Sequence, residues 1–164
     1  MKKLIMVLAA GVFALSACNN ADNNDEAQTP PPAVVADPEP VPGSIILRAG
    51  DDMKFDQREI KVKAGDTVKL TLKHTGKAPK TAMGHNFVLL KSGVSVDDFI
   101  AKAVEAKDND YIPAGTKDVI AHTRLIGGGE SDHIEFVAPA KGTYTYICSF
   151  PAHAMIMNGK LIVE

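Results

Sequence analysis

Over residues 43–164 the sequence predicts an all-β domain, a sandwich or barrel of short strands interrupted by one helix at about 96–106. Three observations carry this expectation. Apolar residues alternate with Lys and Thr at period two, which puts one face of each run in a core and the other in water. Turn-forming residues separate the runs at short intervals. A single stretch repeats its apolar residues at helical spacing instead.

In chain order, Ile45 to Leu47 opens the first strand-like run. Ile60 and Val62, then Val68, Leu70 and Leu72, alternate with polar residues, as half-buried antiparallel strands do. Ala64-Gly65-Asp66 between them reads as a hairpin turn. Phe87 to Leu90 is a further strand. Ser95, with Asp98 three residues on, reads as a helix N-cap. Val96, Phe99, Ile100, Ala103 and Val104 then fall on one helical face. Ile134 to Val137, Thr143 to Cys148 and Lys160 to Val163 complete the strands. Trp is absent and aromatic residues are sparse, which a small β-domain with an aliphatic core can tolerate.

The first 42 residues read differently. Lys2 and Lys3 precede an apolar stretch, Leu4 to Leu15, too short to span a bilayer core of about 30 Å. Leu15-Ser16-Ala17-Cys18 then resembles the bacterial lipobox, in which cleavage falls before the Cys and its thiol takes a diacylglycerol. Residues 1–17 are therefore expected to be a lipoprotein signal peptide, and Cys18 the lipidated residue. Buried acyl chains contribute about 0.8 kcal/mol per methylene, enough to hold a protein on a lipid bilayer. Asn19 and Asn20 follow, and resemblance to lipoprotein sorting rules favours the outer membrane, facing the periplasm or the exterior. Residues 18–42 are rich in Asn, Asp, Ala and Pro and hold too few bulky apolar residues to bury. They are expected to form a disordered spacer with polyproline character.

Formal net charge is −2; without Lys2 and Lys3 it is −4, from 16 basic and 20 acidic groups. That balance argues against a nucleic-acid partner. Two cysteines in an exported chain first raise the idea of one disulfide. Their contexts argue otherwise, because Cys148 stands in a group of soft donors. The run C-S-F-P-A-H-A-M-I-M, Cys148 to Met157, places a thiolate, an imidazole and two thioethers close together, and Gly84-His85-Asn86 supplies a second imidazole. Two His, one Cys and a weak axial Met are the ligands of a blue-copper electron-transfer site. Thiolate and thioether favour Cu(I), imidazole accepts either oxidation state, and little has to reorganise when an electron moves. By residue type alone, Met155 competes with Met157 for the axial place.

These residues resemble the azurin family of type-1 copper proteins. The azurin ligand loop runs Cys, four residues, His, three residues, Met, and Cys148, His153 and Met157 match it. Plastocyanin-like loops are shorter between Cys and His. The similarity extends through D-D-M-K-F near Asp51, M-G-H-N-F at 83–87 and V-I-A-H-T-R-L-I-G-G-G-E at 119–130. It implies a cupredoxin-like Greek-key sandwich over 43–164, lipid-anchored through a low-complexity spacer, with one copper. His85, Cys148 and His153 would be in-plane ligands, Met157 the axial one, and the Gly84 carbonyl would lie opposite. Asn86 would tie the two ligand segments together by hydrogen bonds, and the Phe150 amide would point at the Cys148 sulfur. His74 matches a position beside the site that can titrate, which would link the potential to pH. His122 and His133 read as surface.

The resemblance also implies a role. The chain would be a one-electron carrier and not an enzyme, passing electrons through the His153 ring edge. Met83, Ala152, Ala154 and Met155 would surround that edge as an apolar docking patch suited to brief contact. Partners would be c-type cytochromes, or a cytochrome c peroxidase or nitrite reductase. The alternative is copper storage, delivery or resistance, although such proteins tend to use Met- or His-rich tracts that this chain lacks. A Cys148 nucleophile with a His base fits poorly, since the thiol would be ringed by ligands. Three departures stand out. Gly43 and Asp66 occupy the positions of the family's disulfide, which predicts a stability lower by ~2–4 kcal/mol. Ala152 stands where Gly is common, and would be strained if that Gly uses positive φ. Phe87 stands where a core Trp is common.

Overall fold

The structure, a computed structural model, describes residues 44–164. The expected signal peptide, Cys18, the spacer and Gly43 lie outside those residues. Two sheets enclose the core. One has three strands in the order β1 (Ser44–Ala49), β3 (Thr67–His74), β6 (Ser131–Val137). The other has five, in the order β2 (Glu59–Val62), β8 (Asn158–Val163), β7 (Gly142–Ile147), β4 (Val88–Leu90), β5 (Val119–His122). Leu47, Leu70, Leu72 and Phe136 of the first sheet meet Ile60, Leu89, Tyr146 and Leu161 of the second in one buried cluster. The all-β sandwich expected from alternation is therefore present, and its core combines aliphatic side chains with the rings of Phe55, Phe87, Phe136 and Tyr146.

The pairing differs from the antiparallel expectation in two places. β1 runs parallel to β3, and β2 parallel to β8. The turn at Ala64-Gly65-Asp66 is consequently not a hairpin. It carries the chain from the five-stranded sheet to the three-stranded one, so β2 and β3 never pair. The reason is that Ile60 and Val68 both point into the shared core. Their stripes pack face to face instead of edge to edge. The turn is held from both sides: the Ala64 amide donates to Glu164 O at 3.0 Å and the Gly65 amide to Ala138 O at 3.1 Å.

The helix expected at about 96–106 begins as predicted. α2 spans Val96–Ala103, and the Ser95 hydroxyl accepts the Asp98 amide at 3.2 Å. That satisfies one of the open donors of the first turn, and Asp97 and Asp98 lie favourably at the positive end of the helix. After Ala103 the chain tightens into a 3-10 segment, Val104–Asn109, which ends at Asp110 in the left-handed region. Phe99 and Ala103 pack on Val88, Leu90 and Ile147, on the outside of the five-stranded sheet. β4 is thus buried on both faces, with Leu89 turned to the main core. That is why Val88–Leu90 is continuously apolar and does not alternate. A one-turn helix, α1 (Lys80–Met83), was too short for periodicity to register. β5 escaped the same test because its residues are half-buried or exposed.

Candidate metal centre

The end of β7 and the start of β8 pair at Ile147 and Asn158, and the connecting loop holds three of the predicted ligands. The Cys148 amide donates to Met157 O at 3.0 Å, which closes the base of that loop. Its far end is nearly helical: the amides of Ile156 and Met157 both donate to His153 O, at 3.0 and 2.7 Å. His85 arrives from the opposite direction, between α1 and β4. It forms an isolated bridge with Ile126, with paired backbone bonds of 3.0 and 2.8 Å.

These placements bring the donors together. The Nδ1 atoms of His85 and His153 lie 4.0 and 3.6 Å from the Cys148 sulfur. One ligand atom from each of the three residues falls within 4.8 Å of the others. The Gly84 carbonyl oxygen sits 3.8 Å from the sulfur. Gly84 has an ordinary extended φ of −68°. Glycine is required there by space, since a Cβ would meet the Lys80 carbonyl oxygen at 2.5 Å and the Leu125 side chain at 2.9 Å. Met157 is fully buried beside Cys148, whereas Met155 is 75% exposed. Burial thus decides the axial candidate in favour of Met157.

The electrostatics suit a metal and little else. Burial pushes the Cys148 thiol up to about 12, although the amides of Asn86 and Phe150 point at its sulfur and favour the thiolate. Those amide donors favour the thiolate that forms when a metal cation takes the proton's place. Burial also lowers His85, and holds His153 down at about 4 with a further contribution from neighbouring His85. Both imidazoles are then neutral ligands at pH 7. His85 Nε2–H donates to Gly50 O at 2.9 Å, which leaves Nδ1 free for the metal. A soft thiolate, two imidazoles and a thioether fit copper, so the donor set matches the ion that the resemblance implies.

Asn86 does what was expected of it. Its Oδ1 accepts the Ser149 amide at 2.8 Å, and its Nδ2 donates to Ser149 Oγ at 2.8 Å and to Asp110 O at 2.9 Å. One buried amide therefore joins the His85 segment, the Cys148 loop and the end of the 3-10 segment. Phe150 packs on His153 in a tilted arrangement, ring centroids 4.6 Å apart, and meets Tyr111 edge-on at 5.3 Å. His153 is the only one of the four side-chain ligands with any exposure, at 3%.

The expected docking patch is corrected at one position. Ala152 and Met155 are exposed and Met83 is half-buried, but Ala154 is buried with Phe99 and Val88 in the second cluster. The helix-like turn after His153 rotates Ala154 inward, which composition alone could not show. Ile156, at 44% exposure, belongs to the exposed apolar surface instead. His122 and His133 are exposed as expected. His74 is fully buried and stacks on His85 with ring centroids 4.4 Å apart. Gly50 and Ser149 carry no sequence signal, because they act through a main-chain carbonyl and a small hydroxyl.

Two expected results arise here. Ala152 has φ of +66°, so the alanine does occupy a left-handed position. Ala152→Gly should stabilise the domain by about 0.5–1 kcal/mol, the left-handed cost of an L-residue less glycine's extra unfolded entropy. Urea denaturation checks this. Second, as pH falls below 6.5 the unfolded metal-free chain takes up protons on these histidines that the folded chain refuses. The histidine contribution to metal-free stability should therefore be full above about pH 6.5 and be lost as pH falls towards the folded value of about 4 for His153. Thermal melts of metal-free protein across that window measure the slope.

Known proteins resemble this chain. The family described as copper binding proteins, plastocyanin/azurin family, matches residues 44–164. Azurin of Bordetella pertussis is 43% identical over 125 residues, covering 72% of this chain and 81% of that protein. Outer membrane protein H.8 of Neisseria gonorrhoeae is 42% identical over 119 residues, covering 70% of this chain but only 64% of H.8, less than two thirds of its length. Among solved structures, auracyanin A, a "blue" copper protein of Chloroflexus aurantiacus, superposes with a TM-score of 0.68 at 35% identity. That match covers 74% of this chain and 98% of auracyanin A. An azurin from Methylomonas sp. strain J gives 0.67 at 38% identity, covering 74% and 97%.

Proposed function

The chain belongs to the plastocyanin/azurin family of copper-binding proteins, and from that premise we propose that it carries single electrons between redox proteins of a bacterial cell envelope and transforms no substrate itself. The observation that carries this reading is the convergence of two imidazole Nδ1 atoms on one buried thiol, within 4.0 Å, in a site with almost no solvent. Bound copper would supply the Cu(I)/Cu(II) couple. The protein's own part is to hold the donors still and dry. Backbone bridges fix His85, the Asn86 bonds fix the Cys148 loop, and the amides of Asn86 and Phe150 stabilise charge on the sulfur.

Electrons enter and leave at His153, beside the exposed Ala152 and Met155. A small apolar contact there favours fast release. The partners we propose are c-type cytochromes, or a cytochrome c peroxidase or nitrite reductase. Attachment to the outer membrane through an acylated Cys18 is supported by the lipobox-like motif and by the likeness to outer membrane protein H.8. The test is to add Cu(II) to the purified protein. We expect an intense thiolate-to-copper band in the visible range and reversible one-electron voltammetry. A colourless, redox-silent copper complex overturns the reading, and a coloured complex without reversible voltammetry favours storage.

A further inference from the structure

We propose that Asp51 is a positioning residue for the metal centre, a clamp that holds the Gly50 carbonyl against His85 and adds a fixed negative charge beside it. The inference rests on the copper reading for its electrical half only.

His85 is aligned by a single bond from its far nitrogen, Nε2–H to Gly50 O at 2.9 Å. Gly50 opens the turn after β1, whose Met53 amide also donates to the Gly50 carbonyl at 3.1 Å, and that turn must itself be fixed against the rest of the domain. Asp51 is the next residue. Its Oδ2 accepts the Lys77 amide at 2.9 Å and its Oδ1 the Ala78 amide at 3.2 Å. Two charge-assisted bonds from one carboxylate thus fasten the Gly50 loop to the loop after β3. The fastened loop is itself anchored. Its Thr75 amide donates to Ala49 O at 2.7 Å, and the Gly128 amide donates to Ala78 O at 2.8 Å.

The last residue of β3, just before that loop, carries the ring that packs on His85. His74 Nδ1 accepts the Gly76 amide at 3.1 Å, and its Nε2 donates to Met83 O at 2.8 Å, one residue before Gly84. His85 is therefore held by Gly50 at its far edge and by His74 on its face, and the Asp51 carboxylate ties together the two turns that flank these holds. Gly76 shows how closely the carboxylate is seated, because a Cβ there would overlap it.

The charge acts in the same place. Asp51 Oδ1 is 4.0 Å from His74 Nε2, and His74 stacks directly on His85. Oxidation adds one positive charge at the metal, so a carboxylate on this side favours the oxidised ion. With the Asp51 side chain 45% exposed, solvent screens that effect to a modest size.

Three variants of the full chain test the proposal. Asp51→Asn removes the charge and one of the two acceptors. Gly76→Ala keeps the charge but displaces the carboxylate. Asp52→Asn removes a neighbouring charge and leaves both bonds intact. In metal-free protein, NMR exchange of the His85 Nε2 proton with water should speed up at least about tenfold in the first two and stay unchanged in the third. With copper bound, Asp51→Asn should raise the midpoint potential, by on the order of threefold in the equilibrium with a reference couple. If Asp51→Asn does not fold, Gly76→Ala alone decides the clamp. Unchanged exchange in a folded clamp variant, or equal acceleration in Asp52→Asn, overturns it. An unchanged potential in Asp51→Asn overturns the electrical half. Failure of the wild-type chain to form a coloured copper complex refutes the copper reading instead, and the exchange result still stands.

Discussion

Cys148→Ser should abolish the intense visible band and weaken copper binding at least a hundredfold, while leaving the metal-free fold almost unchanged. The first half follows from donor chemistry. Serine is a hard, weakly acidic donor and cannot place thiolate density on the ion, and removing even a supporting partner of a ligand costs 10–100-fold. The second half follows from the surroundings. The sulfur is completely buried, and the amides of Asn86 and Phe150 point at it. A hydroxyl oxygen is a better acceptor for those amides than a thiol, which offsets the small volume lost. Copper titration followed by optical absorption, beside chemical denaturation without metal, separates the two effects. A variant that unfolds before it can be titrated contradicts the argument.

Phe87→Ala should have the largest effect on the fold, about 3–5 kcal/mol less stable. Phe87 has no exposure and stacks between Tyr146, at 5.3 Å, and Phe136, at 6.5 Å. Its backbone is fixed to Thr123 by an amide bond to Oγ1 at 2.9 Å and by the Thr123 amide bonding Phe87 O at 3.0 Å. The chain cannot slide to fill the space, so most of the cavity persists. Guanidinium denaturation with and without copper measures the loss. A change below about 1 kcal/mol means the sheets can close over the site.

What was legible in the sequence divides along physical lines. Strands with one wet face, such as Thr67–His74, declare themselves because alternation is a local consequence of burial. So does the ligand loop, since Cys148, His153 and Met157 must lie near one another in sequence to share one metal. Sheet order was not legible. A turn of four residues between Val62 and Thr67 suits a hairpin as well as an arch, and only the common core of Ile60 and Val68 decides between them. The inward rotation of Ala154 depends on bonds to His153 O, and small apolar residues look alike on either side of a surface. Gly50 and Asp51 were invisible as site residues for a related reason. Their roles come from a carbonyl and a surface carboxylate that gain meaning only when two loops meet.

The four side-chain ligands come from two places far apart in the chain. Nothing covalent joins them: His85 and Cys148 are separated by 63 positions, and Cys148 is a free thiol. Copper held between them would act as a crosslink, tying off a long loop of the unfolded chain much as a disulfide does. Cys148 is the one cysteine among the described residues and is unpaired, so bound copper would supply the domain with a reversible tie in place of a covalent one. The protein's endurance of heat then becomes a measure of copper supply, because each ion that binds the folded form alone deepens its stability in proportion to the logarithm of free metal. A carrier starved of copper would lose its electron and its staple together, and would be cleared first by proteases that attack whatever opens.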